Sequence, residues 1–91
     1  MKIVPRATAK VKQDGYAGYR KFIDQVPAED RAKYPYAGGV SDASELQRLC
    51  NGRHSVLEIK AMLDAQSPRR STVEGIMNYL QVLKLAGLVE F

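Results

Sequence analysis

The apolar positions in the second half of the chain recur at helical spacing between clear start and stop signals. Val73, Ile76, Met77, Leu80 and Leu83 fall on one face of a helix, with Glu74, Asn78, Gln81 and Lys84 on the other. A helix before it offers Val56, Ile59, Ala61, Met62 and Leu63, and a shorter one offers Leu46, Leu49 and Cys50. Each is preceded by the same chemistry: Asp42-Ala43-Ser44-Glu45, Ser55-Val56-Leu57-Glu58 and Ser71-Thr72-Val73-Glu74 all fit the capping box. There a short side-chain oxygen accepts the third backbone N–H of the helix, and the Glu reaches back to the cap's own N–H. Asn51-Gly52, Ser67-Pro68 and Gly87 supply the stops. The pattern predicts helices over about Ala43–Cys50, Val56–Gln66 and Thr72–Ala86, then a short strand Leu88-Val89-Glu90-Phe91.

The first half is less regular. Lys2-Ile3-Val4 reads as a short strand ended or confined to an edge by Pro5. Ala9-Lys10-Val11-Lys12 alternates as a second one would, with Asp14-Gly15 as a turn. Tyr16, Tyr19, Phe22, Ile23 and Val26 predict an amphipathic helix ending at Pro27. Pro27-Ala28-Glu29-Asp30 opens another, with Pro at its first position, and Tyr34–Gly39 is a loop. A lone terminal strand leaves its backbone groups unpaired, so Ile3–Val4 or Ala9–Val11 is expected to pair with it. The expectation is a mainly α chain: a winged-helix-like tri-helical core with a small sheet of N-terminal and C-terminal strands. It divides into an arm or short strands (1–14), a helical extension and loop (15–40) and the helix-turn-helix core (41–91).

Composition narrows the chemistry. With 91 residues, 45% hydrophobic and 26% charged, one globular domain is expected. A single Cys cannot close an internal disulfide, and one Cys with one His cannot complete the usual four-ligand zinc site. No apolar run approaches the roughly 18 residues of a membrane span, and the start lacks a signal peptide's apolar core. The chain would be cytoplasmic if complete. Cys50 reads as a small core filler; His54 lies beyond a helix stop from it, so a Cys–His pair is not predicted. The acids Asp42, Glu45, Glu58 and Glu74 are committed to caps, Asp24 and Asp64 show no motif, and so short a chain leaves little room for a pocket of several hundred Å³. Neither an enzyme nor a cofactor site is expected.

Net charge of +4 invites a nucleic-acid reading, but its distribution does not favour one. Residues 1–40 hold eight Lys and Arg against four Asp and Glu, whereas residues 41–91 hold six of each. Lys2, Arg6, Lys10 and Lys12 form a basic arm able to touch phosphates or an acidic protein surface. In the core, Arg69 and Arg70 precede the last helix, and Asn78, Gln81 and Lys84 lie along its polar face, where a DNA-reading helix would carry its contacts. Against this, Glu74 would face phosphates, and the four residues after Gly87 are too few for a wing. Tyr and Phe cluster among residues 16–36, at the helical spacing that packing requires; Gly15–Gly18 and Gly38-Gly39 lack the context of a phosphate loop.

The stretch Leu46–Ile59 (LQRLCNGRHSVLEI), with Tyr79–Val89 (YLQVLKLAGLV), resembles bacterial non-catalytic winged-helix domains found as C-terminal tails of M28-type metallopeptidases. It is more distantly similar to PqqD-like peptide-recognition domains, which bind leader peptides at a sheet edge; those carry three N-terminal strands where Tyr16–Val26 here reads as helix. The resemblance spans residues 44–91 and implies an accessory domain of a larger protein with a protein or peptide partner, such as an adjacent domain. A free strand edge would also admit a homodimer. DNA binding, as a helix-turn-helix transcription regulator, is the alternative.

Overall fold

Local capping and non-local strand pairing build this molecule in different halves. The computed structural model describes residues 3–9, 19–36 and 38–91. Its elements run β1 (Arg6–Ala7), α1 (Tyr19–Asp24), α2 (Ala28–Arg31), α3 (Ala43–Leu49), α4 (Val56–Gln66), α5 (Val73–Leu85) and β2 (Val89–Glu90). The chain is mainly α, with a two-stranded antiparallel sheet of one N-terminal and one C-terminal strand. Helix α5 is the central member: Gly75, Ile76, Tyr79, Leu80, Val82 and Leu83 are all buried. Val56, Ile59 and Leu63 of α4 and Leu46 and Cys50 from α3 and its end complete the core. Each such aliphatic side chain contributes about 1.5–3 kcal/mol on removal from water. Tyr79 and Val82 extend the buried face beyond the predicted stripe, whereas Ala61, expected in the core, is exposed.

The caps are formed by the predicted residues at two of three helices. The Asp42 carboxylate accepts the Glu45 N–H at 3.1 Å. At α4 the box is complete, Ser55 Oγ accepting from Glu58 N at 3.2 Å and Glu58 accepting from Ser55 N at 2.8 Å. The third prediction is off by one residue: Thr72, not Ser71, is the N-cap of α5, its Oγ1 accepting from Gly75 N at 2.9 Å. Ser71 is instead buried, where its Oγ accepts the Ser41 N–H at 2.9 Å and its own N–H donates to Asp64 at 2.9 Å. Tertiary ties thus take one of two adjacent hydroxyl residues and leave the other to cap. At the far end, Gly87 adopts φ +77°. Leu88 N donates to Leu83 O and Gly87 N to Lys84 O, a Schellman stop that turns Leu88 into the core.

The first strand lies between the two segments expected. Arg6 pairs with Glu90 and Ala7 with Val89, while Ile3 and Val4 precede the strand and Ala9 has helical structure. Pro5 does not exile the segment to an open edge. Its side chain is buried, and its carbonyl accepts from Gly52 N at 3.0 Å. Ala7 N donates to Cys50 O, Arg6 bridges Asn51, and Val56 N, at the start of α4, donates to Ile3 O. The segment is therefore held by β2 on one side and by the α3–α4 turn on the other. That arrangement leaves only β2 with an outer edge among the described strands.

Helix α1 starts no earlier than Tyr19 among the described residues and ends at Asp24, so Val26 is buried from a turn, not from a helix. Pro27 is the N-cap of α2, one residue before the expected position, because its extended ψ of 138° excludes it from the helix while its carbonyl accepts from Asp30 and Arg31. The loop that follows crosses α5. A Cβ added to Gly75 would stand 2.5 Å from Gly39 Cα, so the two backbones meet where neither residue tolerates a side chain.

Candidate interaction surfaces

The residues expected to contact a partner do not gather in one place. Arg69 and Arg70 are exposed in the α4–α5 turn, with the Arg70 guanidinium 3.9 Å from Asp64. Lys84 is in the last turn of α5, about 16 Å along the axis from its start at 1.5 Å per residue. Its ammonium lies 4.7 Å from the Phe91 ring centroid, a cation–π contact. Asn78 is half-buried and engaged by its own chain: its amide donates to Pro35 O at 2.6 Å. Gln81 is half-buried, and Glu74 is exposed in the first turn. Lys10 and Lys12 lie outside the described residues, as do Asp14-Gly15 and Tyr16. Of the basic arm, Arg6 is described, and its Nε bonds Glu90 Oε1 at 2.8 Å across the sheet.

Helix α5 thus buries one broad face, while Glu74, Lys84 and Leu85 stay exposed on the other. Core residues occupy one side, and Gly39 and Pro35 meet Gly75 and Asn78 beside it. Tyr36 stacks at a tilt on Tyr79, ring centroids 4.7 Å apart, and the Gln47 amide donates to the Tyr79 hydroxyl at 2.6 Å. Burial pushes the Tyr79 phenol above its usual range.

Helix α4 differs. Val56, Ile59 and Leu63 face the core, but Leu57, Ala61 and Ala65 are exposed on the other side. Leu57 remains 49% accessible. A depression of about 550 Å³ runs there, lined by Leu57, Lys60, Ala61, Asp64, Ala65 and Arg70. Asp64 anchors its wall. Lys60 Nζ donates to one carboxylate oxygen at 2.6 Å and Ser71 N to the other at 2.9 Å. The Lys60 bond, then the Ser71 bond, hold its carboxyl below the ordinary range. Glu58 is also lowered, chiefly by the Ser55 backbone N–H.

No family model matches the chain, and no curated protein or solved structure matches it significantly. Its surfaces therefore have to be read from their own chemistry. Two more depressions are open to solvent. One of about 460 Å³ on the sheet is lined by Val4, Arg6, Gly52, Glu90 and Phe91. Another of about 260 Å³ lies between Phe22, Pro27 and Leu85. Depressions of several hundred Å³ do exist in so short a chain, contrary to expectation, because open surface clefts need no thick core around them.

Cys50 is a core residue in the structure. Its Sγ donates to Leu46 O at 3.3 Å, and burial pushes the thiol up to about 12, which keeps it protonated at neutral pH. Among the described residues no group of three His, Cys, Asp or Glu could hold a metal ion, and no helix is long and apolar enough to cross a membrane. The outer face of α4 was missed in the sequence. Ala61, expected inward, lies outside, and the four-residue spacing of Leu57, Ala61 and Ala65 is the signal of that second face.

Proposed function

We propose that this chain is a non-catalytic protein- or peptide-interaction module, acting as an accessory unit of a larger protein. One observation supports this reading above the others: on the helix that would read DNA, Asn78 is engaged by the chain's own loop, while apolar side chains stay open elsewhere. A recognition helix needs a free polar face to reach base edges in the major groove. Asn78 is bonded to Pro35 O and Gly75 lies under Gly39, so freeing Asn78 for a base edge would require the loop to leave. Leu57 and Leu85, about half exposed, and Val4 offer apolar area of the kind protein partners cover. The resemblance to winged-helix tails of metallopeptidases supports the same reading. Among the described residues, strand addition is available only at the outer edge of β2, which is two residues long.

DNA binding keeps one favouring observation, the exposed Arg69 and Arg70. A fluorescence-anisotropy titration with random duplex DNA at two salt concentrations decides between the two. The expected result is no binding even at low salt. Salt-sensitive binding that disappears in the Arg69→Glu/Arg70→Glu double variant would overturn the reading.

A further inference from the structure

From the two-sided apolar character of α4 and the charge around its outer groove, we infer that this groove receives an acidic amphipathic helix of a partner protein. The inference rests on the interaction-module reading and names the partner's chemistry.

Leu57, Ala61 and Ala65 are successive members of one i, i+4 row, so they form a ridge rising about 12 Å along the helix and inclined about 26° to its axis. A helix apolar on both sides has a second surface to bury. The core takes Val56, Ile59 and Leu63; nothing among the described residues lines the opposite groove except its own walls. The two alanines keep the floor low, which lets a second helix approach closely, and Leu57 stands at one end as a knob. An apolar ridge of this length matches just over two turns of a partner helix whose own i, i+4 row packs beside it.

The charge argument sets the partner's sign. Lys60 and Arg70 line the groove, and Arg69 is exposed beside Arg70. Asp64 is the acid among the lining residues, and it is 9% exposed with its oxygens bonded to Lys60 and Ser71. Arg70, at 3.9 Å from that carboxylate and 81% exposed, keeps most of its guanidinium available to an incoming carboxylate. Phosphates would use the cations but not the apolar floor; an amphipathic helix with Glu or Asp flanking an apolar row uses both.

The test uses the full chain and a fluorescein-labelled, helix-forming 18-residue peptide with a Leu/Ala row flanked by Glu. Its controls are the same peptide with Lys for Glu, and an isomer with the row scrambled. The acidic peptide is expected to bind at least about ten-fold tighter than either control, a difference of about 1.4 kcal/mol. Leu57→Asp should weaken it about ten-fold while leaving the far-ultraviolet circular dichroism unchanged, since an acid in the first turn suits the helix dipole. Arg69→Glu/Arg70→Glu should weaken it and flatten its salt dependence. Equal binding of acidic and basic peptides, no binding of any peptide, or an unchanged Leu57→Asp titration would overturn the assignment of the groove. The interaction-module reading fails separately, on duplex DNA bound through Arg69 and Arg70.

Discussion

Helices α4 and α5 have similar lengths and both begin at a side-chain cap, yet they relate to solvent in opposite ways. Helix α5 buries one broad face, an arc of about 160°, and Asn78 beside that face is bonded to Pro35 of the preceding loop. Helix α4 gives one face to the core and leaves an apolar row outside. In a helix-turn-helix arrangement the last helix is the natural place to seek function. Here that helix carries the largest share of the core, and the preceding helix has an apolar row left outside. The comparison shows that element order alone does not assign a binding role; the contacts made by each face do.

The contrast breaks first in the core. Leu80→Ala, in α5, should lower unfolding free energy by about 2–5 kcal/mol, whereas Leu57→Ala on the outer face of α4 should stay within about 0.5 kcal/mol of wild type in urea denaturation. Comparable losses at the two sites would place Leu57 inside. Next comes the contact between that loop and α5. Gly→Ala in a helix normally stabilises by about 1 kcal/mol, but a Cβ on Gly75 would meet Gly39, so Gly75→Ala should destabilise by about 1–3 kcal/mol. A stabilised variant would mean that the loop does not lie on α5.

A smaller effect sharpens the role of α4. Ser55→Ala removes half of its capping box and should cost about 1 kcal/mol. Thr72→Ala should show a similar loss at α5, through the cap that the structure places one residue beyond the predicted one. The smallest signal is the pH dependence of Asp64. Its carboxyl is held below the unfolded value, so its contribution is present above the unfolded pKa and fades as pH falls through the lower folded value. Asp64→Asn should therefore flatten the acid limb of the stability profile. A limb as steep as wild type would show that Lys60 and Ser71 do not favour the charged form.

Much of the C-terminal half was legible because its signals are local. Asp42, Ser55 and Gly87 act within a few residues of themselves, and the three helix boundaries fall within a residue of those expected. Where partners are distant, legibility fell. Nothing in the period of residues 3–8 says that Pro5 will accept from Gly52, or that Arg6 will lie between Asn51 and Glu90. Ser71 and Thr72 are equivalent as caps until Ser41 and Asp64 claim the first. The polar face of α5 was read correctly as polar, but a loop more than thirty residues away engages Asn78, and helical periodicity carries no such information.

Backbone-amide chemical-shift mapping tests the central claim most directly, because it reports on both helices at once. With the acidic amphipathic peptide added, the account predicts shifts concentrated at Leu57, Lys60, Ala61, Asp64, Ala65 and Arg70, and with duplex DNA no shifts along Glu74, Asn78 and Gln81. Duplex DNA that moves the α5 amides together with Arg69 and Arg70, while the peptide leaves α4 undisturbed, would contradict it.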